Sequence, residues 1–491
     1  MRLIVVNDRS FVDPVVDAGG APVRGESGLP SAELDPGGLA TALTAPGLPA
    51  RFVSSVRTPA QAALAVRGGV RVDTGGAVLD VRLVPTDPAA YRRFYDVAAN
   101  RLLWLVHHDC WPRADVDRAD LAAYRDGYRV VNDNLARAVV EEVRDSAGPV
   151  HVLWQDYQLY LAPALARAAL PPAVRRRTVL QHFLHVPFPG PGPWRALPDG
   201  VVRELLTGLL GNDLVGFQVP AYVRNFVECC RLYLGLDADA DAGVVRLPDG
   251  RAVRVAAYPI PVAPAHLRAA VEAGPTRRHL AELRAGARGR RLVFRTERVD
   301  PVKAFPDALR AFAAVLRRPG MGGTARYVAQ LVPARMTIPE WAEVRRESES
   351  LAARINAREA GEPVLLTFQR SFERAVAAYL DYDVLNVVPR ADGMNLVALE
   401  GPVVNRRDGV VVLSRTAGAH GVLAPHALGV DPVSVEEHAD ALHRALTMPA
   451  GERAERARAM RERASAGDPA AWLRAQLDDA AAWHAAAGGA P

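Results

Sequence analysis

Short runs of β-branched and apolar residues alternate with longer amphipathic stretches along this chain, and this alternation constrains the fold more than any other feature. It is typical of parallel strands joined by helical crossovers. The runs contain few polar residues, which indicates strands that are covered on both faces. The predicted strands are Arg2–Val6, Arg51–Ser55, His151–Trp154, Thr178–His182, Leu214–Phe217, Arg291–Arg295, Arg326–Val332, Val384–Val388 and Val410–Ser414. The sequence therefore predicts an α/β protein built from doubly wound sheets.

The length of 491 residues exceeds what one hydrophobic core usually supports, so two domains are expected. A proline-rich segment, Tyr258–His266, lies between the two series of strands and is interpreted as the boundary. We predict one domain over residues 1–258, a second over 259–468, and a C-terminal helix over 469–491 that crosses back to the first domain. The Gly- and Pro-rich segment 10–36 is longer than most connections, which favours a functional loop.

Composition excludes several classes of protein. No window holds the 18 or more apolar residues of a membrane span, and the N-terminus reads as a strand instead of a signal peptide, so we expect a soluble, cytoplasmic protein. The three cysteines (Cys110, Cys229 and Cys230) show no metal-ligand spacing, which predicts a reducing compartment and no structural zinc. The formal charge of +5 comes from scattered arginines, so neither nucleic acid nor a membrane is expected as a partner.

The segment R-A-D-G-M-N-L-V-A-L-E (Arg390–Glu400) follows the predicted strand Val384–Val388. Asp392 lies in a turn, and a helix is expected to begin at Asn395. A helix N-terminus behind a strand binds anions, because its backbone N–H groups and its dipole both favour negative charge. A capped loop without a ligand is the alternative interpretation.

The segment T-E-R-V-D-P-V-K (residues 296–303) follows the first strand of the second half and carries Arg298 and Lys303. Ligands of doubly wound sheets bind at the carboxyl ends of the strands, where the strand order reverses. An arginine and a lysine there could hold a diphosphate. The alternative is a solvated pair that bridges to Glu297 or Asp300.

Two further clusters follow strands of the first half. In F-L-H-V-P-F-P (Phe183–Pro189) the prolines would fix the direction of His185 toward a cleft, although a lone histidine there is more often structural. In W-Q-D-Y-Q-L (Trp154–Leu159) Asp156 could accept hydrogen bonds from sugar hydroxyls, with a helix cap as the alternative.

Together and in this order, these segments resemble the trehalose-6-phosphate synthases, retaining transferases of glycosyltransferase family 20. The resemblance covers nearly the whole chain and implies the GT-B architecture, two Rossmann-like domains with the active site in the cleft between them. It implies that the N-terminal domain binds the acceptor and the C-terminal domain the nucleotide sugar.

By the same resemblance the catalytic residues are Arg298, Lys303, His185, Asp156 and Asp392. The implied donor-binding residues are Gly37, Gly38, Arg298, Lys303, Asp392, Gly393, Met394, Asn395, Leu396 and Glu400. The implied acceptor-phosphate residues are Arg9, Tyr95, Trp104 and Arg335.

The reaction that this resemblance implies moves glucose from UDP-glucose or GDP-glucose to glucose 6-phosphate and gives trehalose 6-phosphate. In this family the glycosyl–phosphate bond is thought to break on the face that the acceptor attacks, so electrostatic stabilisation of the leaving diphosphate dominates. No metal and no cofactor are expected, and the partners are small molecules. A homo-oligomer is left open.

The chain departs from the family pattern at Gln155 and Gln158, where the family usually has histidine, and at Ala304, where it usually has glycine. Pro301 and the run Gly401–Asn405 are closer to an actinobacterial branch. That branch includes GDP-glucose enzymes and a pseudo-glycosyltransferase, validoxylamine A 7'-phosphate synthase, which joins a nucleotide-activated cyclitol to an aminocyclitol phosphate. The alternatives are therefore this reaction, glucosylglycerol-phosphate synthesis, and a sugar-nucleotide sensor without turnover.

Overall fold

The computed structural model of the chain describes residues 1–25, 27–34, 43, 50–66, 68–75, 77–111 and 116–488. The chain divides into two compact units. Unit 1 comprises Met1–Pro259 and Ala470–Pro491, and unit 2 comprises Ile260–Pro469. The fold is α/β, with a mainly parallel sheet in each unit.

Unit 1 is built around a sheet whose inner strands are apolar and parallel. Its strands, together with the separate hairpin β2–β3, are β1 (Arg2–Arg9), β2 (Val12–Pro14), β3 (Ala32–Leu34), β4 (Ala50–Ser55), β5 (Val70–Asp73), β6 (Val78–Val84), β7 (Val150–Gln155), β8 (Thr178–Phe183), β9 (Leu214–Phe217), β10 (Ala238–Asp239), β11 (Val244–Arg246) and β12 (Ala252–Ala257). The strand order is β10–β11–β12–β9–β8–β7–β1–β4–β6–β5. The neighbours from β12 to β6 are parallel, whereas β5, β10 and β11 add antiparallel edges.

Helices connect these strands. They are α1 (Pro59–Ala63), α2 (Pro88–Arg92), α3 (Trp104–His107), α4 (Arg118–Ala123), α5 (Arg129–Arg144), α6 (Ala162–Ala169), α7 (Pro172–Arg176), α8 (Pro191–Trp194), α9 (Asp199–Leu209) and α10 (Pro220–Leu234). Proline occupies the first turn of several of them, where its missing N–H costs no hydrogen bond. A π-helical stretch, Arg93–Leu103, joins α2 to α3, and a shorter one, Tyr124–Tyr128, joins α4 to α5.

Unit 2 contains a fully parallel sheet. Its strands are β13 (Arg291–Arg298), β14 (Ala325–Val332), β15 (Val364–Thr367), β16 (Val384–Val387), β17 (Val410–Ser414) and β18 (Leu428–Val430). The order is β15–β14–β13–β16–β17–β18. The helices are α11 (Pro264–Val271), α12 (Gly274–Ala287), α13 (Phe305–Leu316), α14 (Pro339–Arg358), α15 (Phe372–Asp381), α16 (Leu396–Val404), α17 (Ala419–Leu423), α18 (Val435–Thr447) and α19 (Ala450–Ser465). Helices α13 and α18 pack on the sheet and share one buried apolar core with it.

The last helix, α20 (Pro469–Ala486), packs against unit 1. The indole N–H of Trp472 donates to the carbonyl of Tyr258 at 2.9 Å, and that of Trp483 donates to the carbonyl of Ala252 at 3.1 Å. Because both acceptors lie on or just after β12, the two indoles anchor the helix along that strand.

The strand predictions from the sequence are confirmed, with ends that differ by up to three residues. The prediction of a loop over residues 10–36 is wrong at Val12–Pro14 and Ala32–Leu34, which pair as antiparallel strands, and isolated antiparallel bridges join Val16 to Pro22 and Arg24 to Pro30. Val15 donates to the carbonyl of Ser31 and Val23 to that of Val15, both at 2.9 Å. The valines of this segment favour extended backbone, and the glycines mark its turns.

None of the helices in the described part of the chain combines the length and apolarity that a membrane crossing needs.

Candidate active site

The sheet of unit 2 reverses its strand order between β13 and β16. The chain runs outward from β13 through β14 to β15, and then outward on the other side from β16 through β17 to β18. Ligands of open α/β sheets bind at the carboxyl ends of the two strands that flank such a reversal. Arg298 is the last residue of β13, and the segment Arg390–Asn395 follows β16, so both predicted donor motifs lie at this point.

Lys303 and Asn395 converge on one carboxylate at this edge. The Lys303 ammonium donates to Oδ2 of Asp392, and the side-chain amide of Asn395 donates to the same oxygen at 2.9 Å. The side chains of Lys303 and Asp392 are 12% and 15% exposed, so the pair is mostly shielded from water but open to a ligand. Lys303 is the only lysine of the chain, among 60 lysine and arginine residues.

Local chemistry fixes the backbone around this lysine. Asp300 caps a short 3₁₀ turn (Pro301–Lys303) by accepting from the N–H of Val302 at 3.2 Å. Ala304 then takes a left-handed conformation (φ +50°) before α13 begins. Arg295 of β13 donates to the Lys303 carbonyl. It also forms a buried ion pair with Glu297, in which Nε lies 2.7 Å from Oε1. Burial raises the pKa of Glu297, against the opposing effect of the Arg295 charge.

A second cluster surrounds the fully buried carboxylate of Asp300. Its Oδ2 lies 3.6 Å from Nη1 of Arg335 and 3.9 Å from Nη2 of Arg298. Arg335 adopts a left-handed backbone conformation (φ +54°) after β14, and its guanidinium lies 5.6 Å from the ring centroid of Trp341. A non-glycine residue held there is strained, and such strain concentrates at functional sites.

Asn395 accepts from the N–H of Ala398 at 3.3 Å and so caps α16, as the sequence predicts for a helix that begins at this point. Close packing holds the turn before it. A side chain at Gly418 would collide with the carbonyl of Gly393, and Met394 is buried. The first N–H groups of α16, from Leu396 onward, are oriented as in other anion sites at helix N-termini.

Glu400 lies on α16 and accepts from the hydroxyl of Tyr379 at 3.0 Å. Burial raises the pKa of the Glu400 carboxyl, although the Tyr379 hydroxyl favours its ionised form.

In unit 1 the strand order reverses between β1 and β7, which carry Arg9 and Gln155 at their carboxyl ends. Asp156 follows β7 with φ +66° and ψ 177°, a conformation that is costly for any residue with a side chain. Its Oδ1 accepts from the N–H of His185 at 3.1 Å. Burial raises the pKa of Asp156 to about 7, although backbone N–H groups favour its ionised form. Strain and a shifted pKa at one carboxylate indicate a functional group.

The ring of His185 lies between two glutamine side chains. Nε2 is 2.7 Å from Oε1 of Gln155, and Nδ1 is 3.3 Å from Nε2 of Gln218. Burial lowers the pKa of His185 to about 3, and neighbouring His182 acts in the same direction.

Tyr95 and Trp104 lie on the helix that contains the π-helical stretch Arg93–Leu103. In a π-helix, where residue i bonds to i+5, residues nine apart are about two turns apart and share a face. The Arg57 guanidinium lies 5.1 Å from the Tyr95 ring centroid. Burial raises the pKa of Tyr91, one turn before Tyr95, and the charge of Arg9 lowers it.

The structure thus brings the predicted residues together in separate groups. In unit 2, Lys303, Asp392 and Asn395 form one group, and Arg298 and Arg335 meet at Asp300. In unit 1, Asp156 and His185 are in contact. Gly37 and Gly38 lie outside the described residues.

Several residues of these groups were missed by sequence reasoning about sites. Asp300 and Glu297 appeared there only as partners in a solvated pair, and Gln155 only as a departure. Gln218 directly follows β9, and the position of a polar residue at a strand end was the signal that could have found it. Among the described residues, no group of three or more His, Cys, Asp or Glu side chains is placed to hold a metal ion. Metal independence stays a prediction.

Comparison with known proteins identifies the family. The profile of glycosyltransferase family 20 matches residues 52–482. A validamine 7-phosphate valienyltransferase from Streptomyces hygroscopicus subsp. jinggangensis is 31% identical over 415 residues, 84% of this chain and 81% of that protein. A trehalose-6-phosphate synthase from Mycobacterium tuberculosis is 33% identical over 502 residues, 96% of this chain and 95% of that protein.

Among solved structures, one described as "Trehalose-6-phosphate from E. coli bound with UDP-2-fluoro glucose" superimposes with a TM-score of 0.81 at 25% identity. The match covers 98% of this chain and 99% of the other. The chain belongs to glycosyltransferase family 20 and has the GT-B fold. It is a glycosyltransferase of the trehalose-6-phosphate synthase type.

Proposed function

We propose that the protein transfers glucose, with retention, from a nucleoside diphosphate glucose to glucose 6-phosphate and produces trehalose 6-phosphate. The observation that carries this proposal is the convergence of Lys303 and Asn395 on Asp392 at the strand reversal of unit 2. The relatives named for trehalose-6-phosphate synthesis and the neighbour bound with UDP-2-fluoro glucose support a glucose nucleotide as donor.

In this proposal unit 2 holds the donor. Lys303 and Arg298 bind the diphosphate, and the backbone N–H groups at Asn395 and Leu396 bind it from the helix N-terminus. Asp392 accepts from hydroxyls of the donor sugar. Glu400 binds the ribose, and burial beside Tyr379 fixes its carboxyl for that contact.

The same groups drive the chemistry. The bond between the anomeric carbon and the diphosphate oxygen breaks, a bond from the acceptor hydroxyl oxygen forms on the same face, and the acceptor proton passes to the leaving oxygen. Negative charge therefore grows on the diphosphate, where Lys303 and Arg298 lie. Each well-placed donor of this kind lowers the barrier by about 3 to 4 kcal/mol.

In this proposal the residues that bind the acceptor phosphate are Arg9, Tyr95, Trp104 and Arg335. The buried Asp300 carboxylate, which lies 3.6 Å from Arg335, holds this guanidinium in position. The strained backbone of Arg335 is consistent with a side chain that is placed for a ligand. Asp156 accepts from sugar hydroxyls, and His185, whose backbone N–H donates to Asp156, holds the donor sugar at the reaction centre.

A second candidate is transfer of a nucleotide-activated cyclitol to an aminocyclitol phosphate. Two observations favour it. One relative of 31% identity is a validamine 7-phosphate valienyltransferase, and Gln155 stands beside His185 where the family usually has histidine. Both reactions use a phosphorylated acceptor, so the Arg335 cluster serves either.

A product assay by mass spectrometry tests the proposal. UDP-glucose, GDP-glucose and GDP-valienol are offered against glucose 6-phosphate, glycerol 3-phosphate and validamine 7-phosphate. A disaccharide phosphate from a glucose nucleotide and glucose 6-phosphate is expected, and the better donor identifies the base. Product from the cyclitol pair alone would replace the proposal with the second candidate, and tight nucleotide binding without product would indicate a sensor.

A further inference from the structure

Gln155 departs from the family pattern, which usually has histidine at this position, and it lies beside His185 at the proposed reaction centre. It ends β7, its side chain is fully buried, and its Oε1 lies 2.7 Å from Nε2 of His185. In this orientation the Gln155 oxygen accepts, so the proton of this hydrogen bond lies on Nε2 of His185.

The opposite ring nitrogen has the opposite role. Nε2 of Gln218, an amide donor, lies 3.3 Å from Nδ1 of His185. An acceptor nitrogen cannot carry a proton, so the two amides together select one neutral tautomer of the ring.

Burial of the ring does not favour an imidazolium, and neighbouring His182 opposes a positive charge as well. Phe183 and Trp472 pack beside the ring, with 4.8 Å and 6.4 Å between ring centroids. The Asp156 carboxyl, which would favour a positive charge when ionised, bonds to the backbone N–H of His185 and not to its ring. Among the described residues these are the titratable groups in recorded contact with His185.

The nitrogen of the Gln155 amide shows that packing alone does not account for this residue. Its Nε2 is buried and has no hydrogen-bond partner among the described residues. A buried donor without a partner destabilises a fold, so an apolar residue of similar size would be favoured here if only packing mattered. The contact with His185 is the use that the structure offers for this side chain.

We infer that Gln155, with Gln218, is a positioning residue that holds His185 as the neutral tautomer protonated at Nε2 and prevents it from acting as an acid. His185 then contributes fixed hydrogen-bond geometry and no proton to the reaction. This consequence rests on the proposed role of His185, whereas the tautomer itself does not.

The test is the long-range ¹H–¹⁵N spectrum of the histidine rings in the full chain, with the His185 signals assigned by comparison with His185→Asn. In the wild type, one protonated and one unprotonated nitrogen are expected, with shifts that stay constant from about pH 5 to about pH 8. Gln155→Leu removes the acceptor and should shift both nitrogens toward values of mixed tautomers. Gln155→Glu places a carboxylate against the ring, which raises the pKa of His185, so its signals should titrate within this range and kcat/KM should gain an acidic limb.

Gln158→Leu is the matched control, because Gln158 is also buried, lies three residues on, and has no recorded contact with the His185 ring. It should leave the spectrum unchanged. A wild-type His185 that titrates between about pH 5 and about pH 8, or a tautomer that persists in Gln155→Leu, would overturn the inference. The ring spectra are recorded without substrate, so they separate this inference from the proposed function, which the product assay tests.

Discussion

The two units share a doubly wound topology but differ in the chemistry at their strand reversals. In unit 2 this edge carries formal charges of both signs, with Lys303 on Asp392, and Arg298 and Arg335 near Asp300. In unit 1 Arg9 ends β1 at the reversal, but the groups around His185 are mostly neutral, because amides flank its ring and burial raises the pKa of Asp156 to about 7. The two edges therefore differ in charge on the same backbone plan. In the proposed function one edge binds the diphosphate, and the other binds sugar hydroxyls and part of the acceptor phosphate.

The largest effect should come from removing the charge at the edge of unit 2. Lys303→Ala should lower kcat by about 10² to 10³, because a donor that stabilises the leaving diphosphate is lost. Initial rates at saturating substrates measure this effect. Arg318→Ala, which breaks an exposed ion pair with Asp440 in the same unit, is the control and should keep the wild-type rate. Near wild-type turnover in Lys303→Ala would remove the functional distinction between the two edges.

Lys303→Arg sharpens the comparison by keeping the charge and changing its shape. Lys303 is the one lysine among 60 lysine and arginine residues, and all the others are arginine. This choice indicates that a guanidinium does not fit beside Asp392. We expect kcat to fall by about tenfold to a hundredfold, because a planar fork cannot replace a compact ammonium. A fully active Lys303→Arg would mean that charge alone is sufficient.

Arg335→Ala should raise the KM of the phosphorylated acceptor about tenfold and change that of the donor little, since one charged hydrogen bond to phosphate is lost. The two KM values are measured by varying each substrate at a fixed level of the other. Arg345→Ala, which removes a surface pair with Glu349, is the matched control. An unchanged acceptor KM would exclude Arg335 from the phosphate site.

Asp156→Asn tests the neutral edge of unit 1. Burial raises the pKa of Asp156 in the folded protein to about 7, above the unfolded value near 3.9. Ionisation of this carboxyl therefore does not destabilise the fold below about pH 3.9, and the loss of stability grows as the pH rises to about 7. The variant should therefore gain about 2 kcal/mol of stability above pH 7 and lose activity. Urea unfolding at several pH values measures the gain, and the exposed Asp145→Asn should show none. Equal stability of wild type and variant above pH 7 would contradict the buried carboxylate.

The smallest effect concerns the attachment of α20 to unit 1. Nδ1 of His484 lies 3.4 Å from Oδ2 of Asp213, and this contact raises the pKa of His484. The stabilisation is complete below the unfolded pKa of about 6.5 and is lost as the pH rises through the folded pKa. His484→Gln should therefore cost about 1 kcal/mol near pH 6 and almost nothing at alkaline pH. His443→Gln is the control, and a cost that does not depend on pH would contradict the ion pair.

The sequence predicted the inner strands well because their apolar, β-branched runs are unambiguous, as in Val410–Ser414. It missed the edge strands β5, which is short and partly polar, and β18, which has only three residues and contains a glycine. The strands β2 and β3 lie in a segment that was predicted as a loop, because its glycines and prolines outweighed its scattered valines.

The candidate site, too, could be predicted only in part from the sequence. The motifs located Lys303, Asp392 and Asn395 because each lies in the segment that follows a strand. Their convergence on one oxygen is a tertiary contact between segments 89 residues apart, which no local pattern contains. The position of Asp300 between two arginines and the clamp of Gln155 on His185 depend on long-range packing in the same way.

The central claim is that the charged edge of unit 2 binds the donor diphosphate at Lys303, and the single lysine allows a direct measurement. Pyridoxal 5'-phosphate and borohydride label amines, and Lys303 is the only lysine of this chain. Peptide mass spectrometry with and without saturating UDP or GDP then reads the Lys303 adduct, with the N-terminal amine of the purified protein as the internal reference. We predict that the nucleotide suppresses the Lys303 adduct and leaves the N-terminal adduct unchanged. Lys303 labelling that is equal with and without either nucleotide would contradict the account.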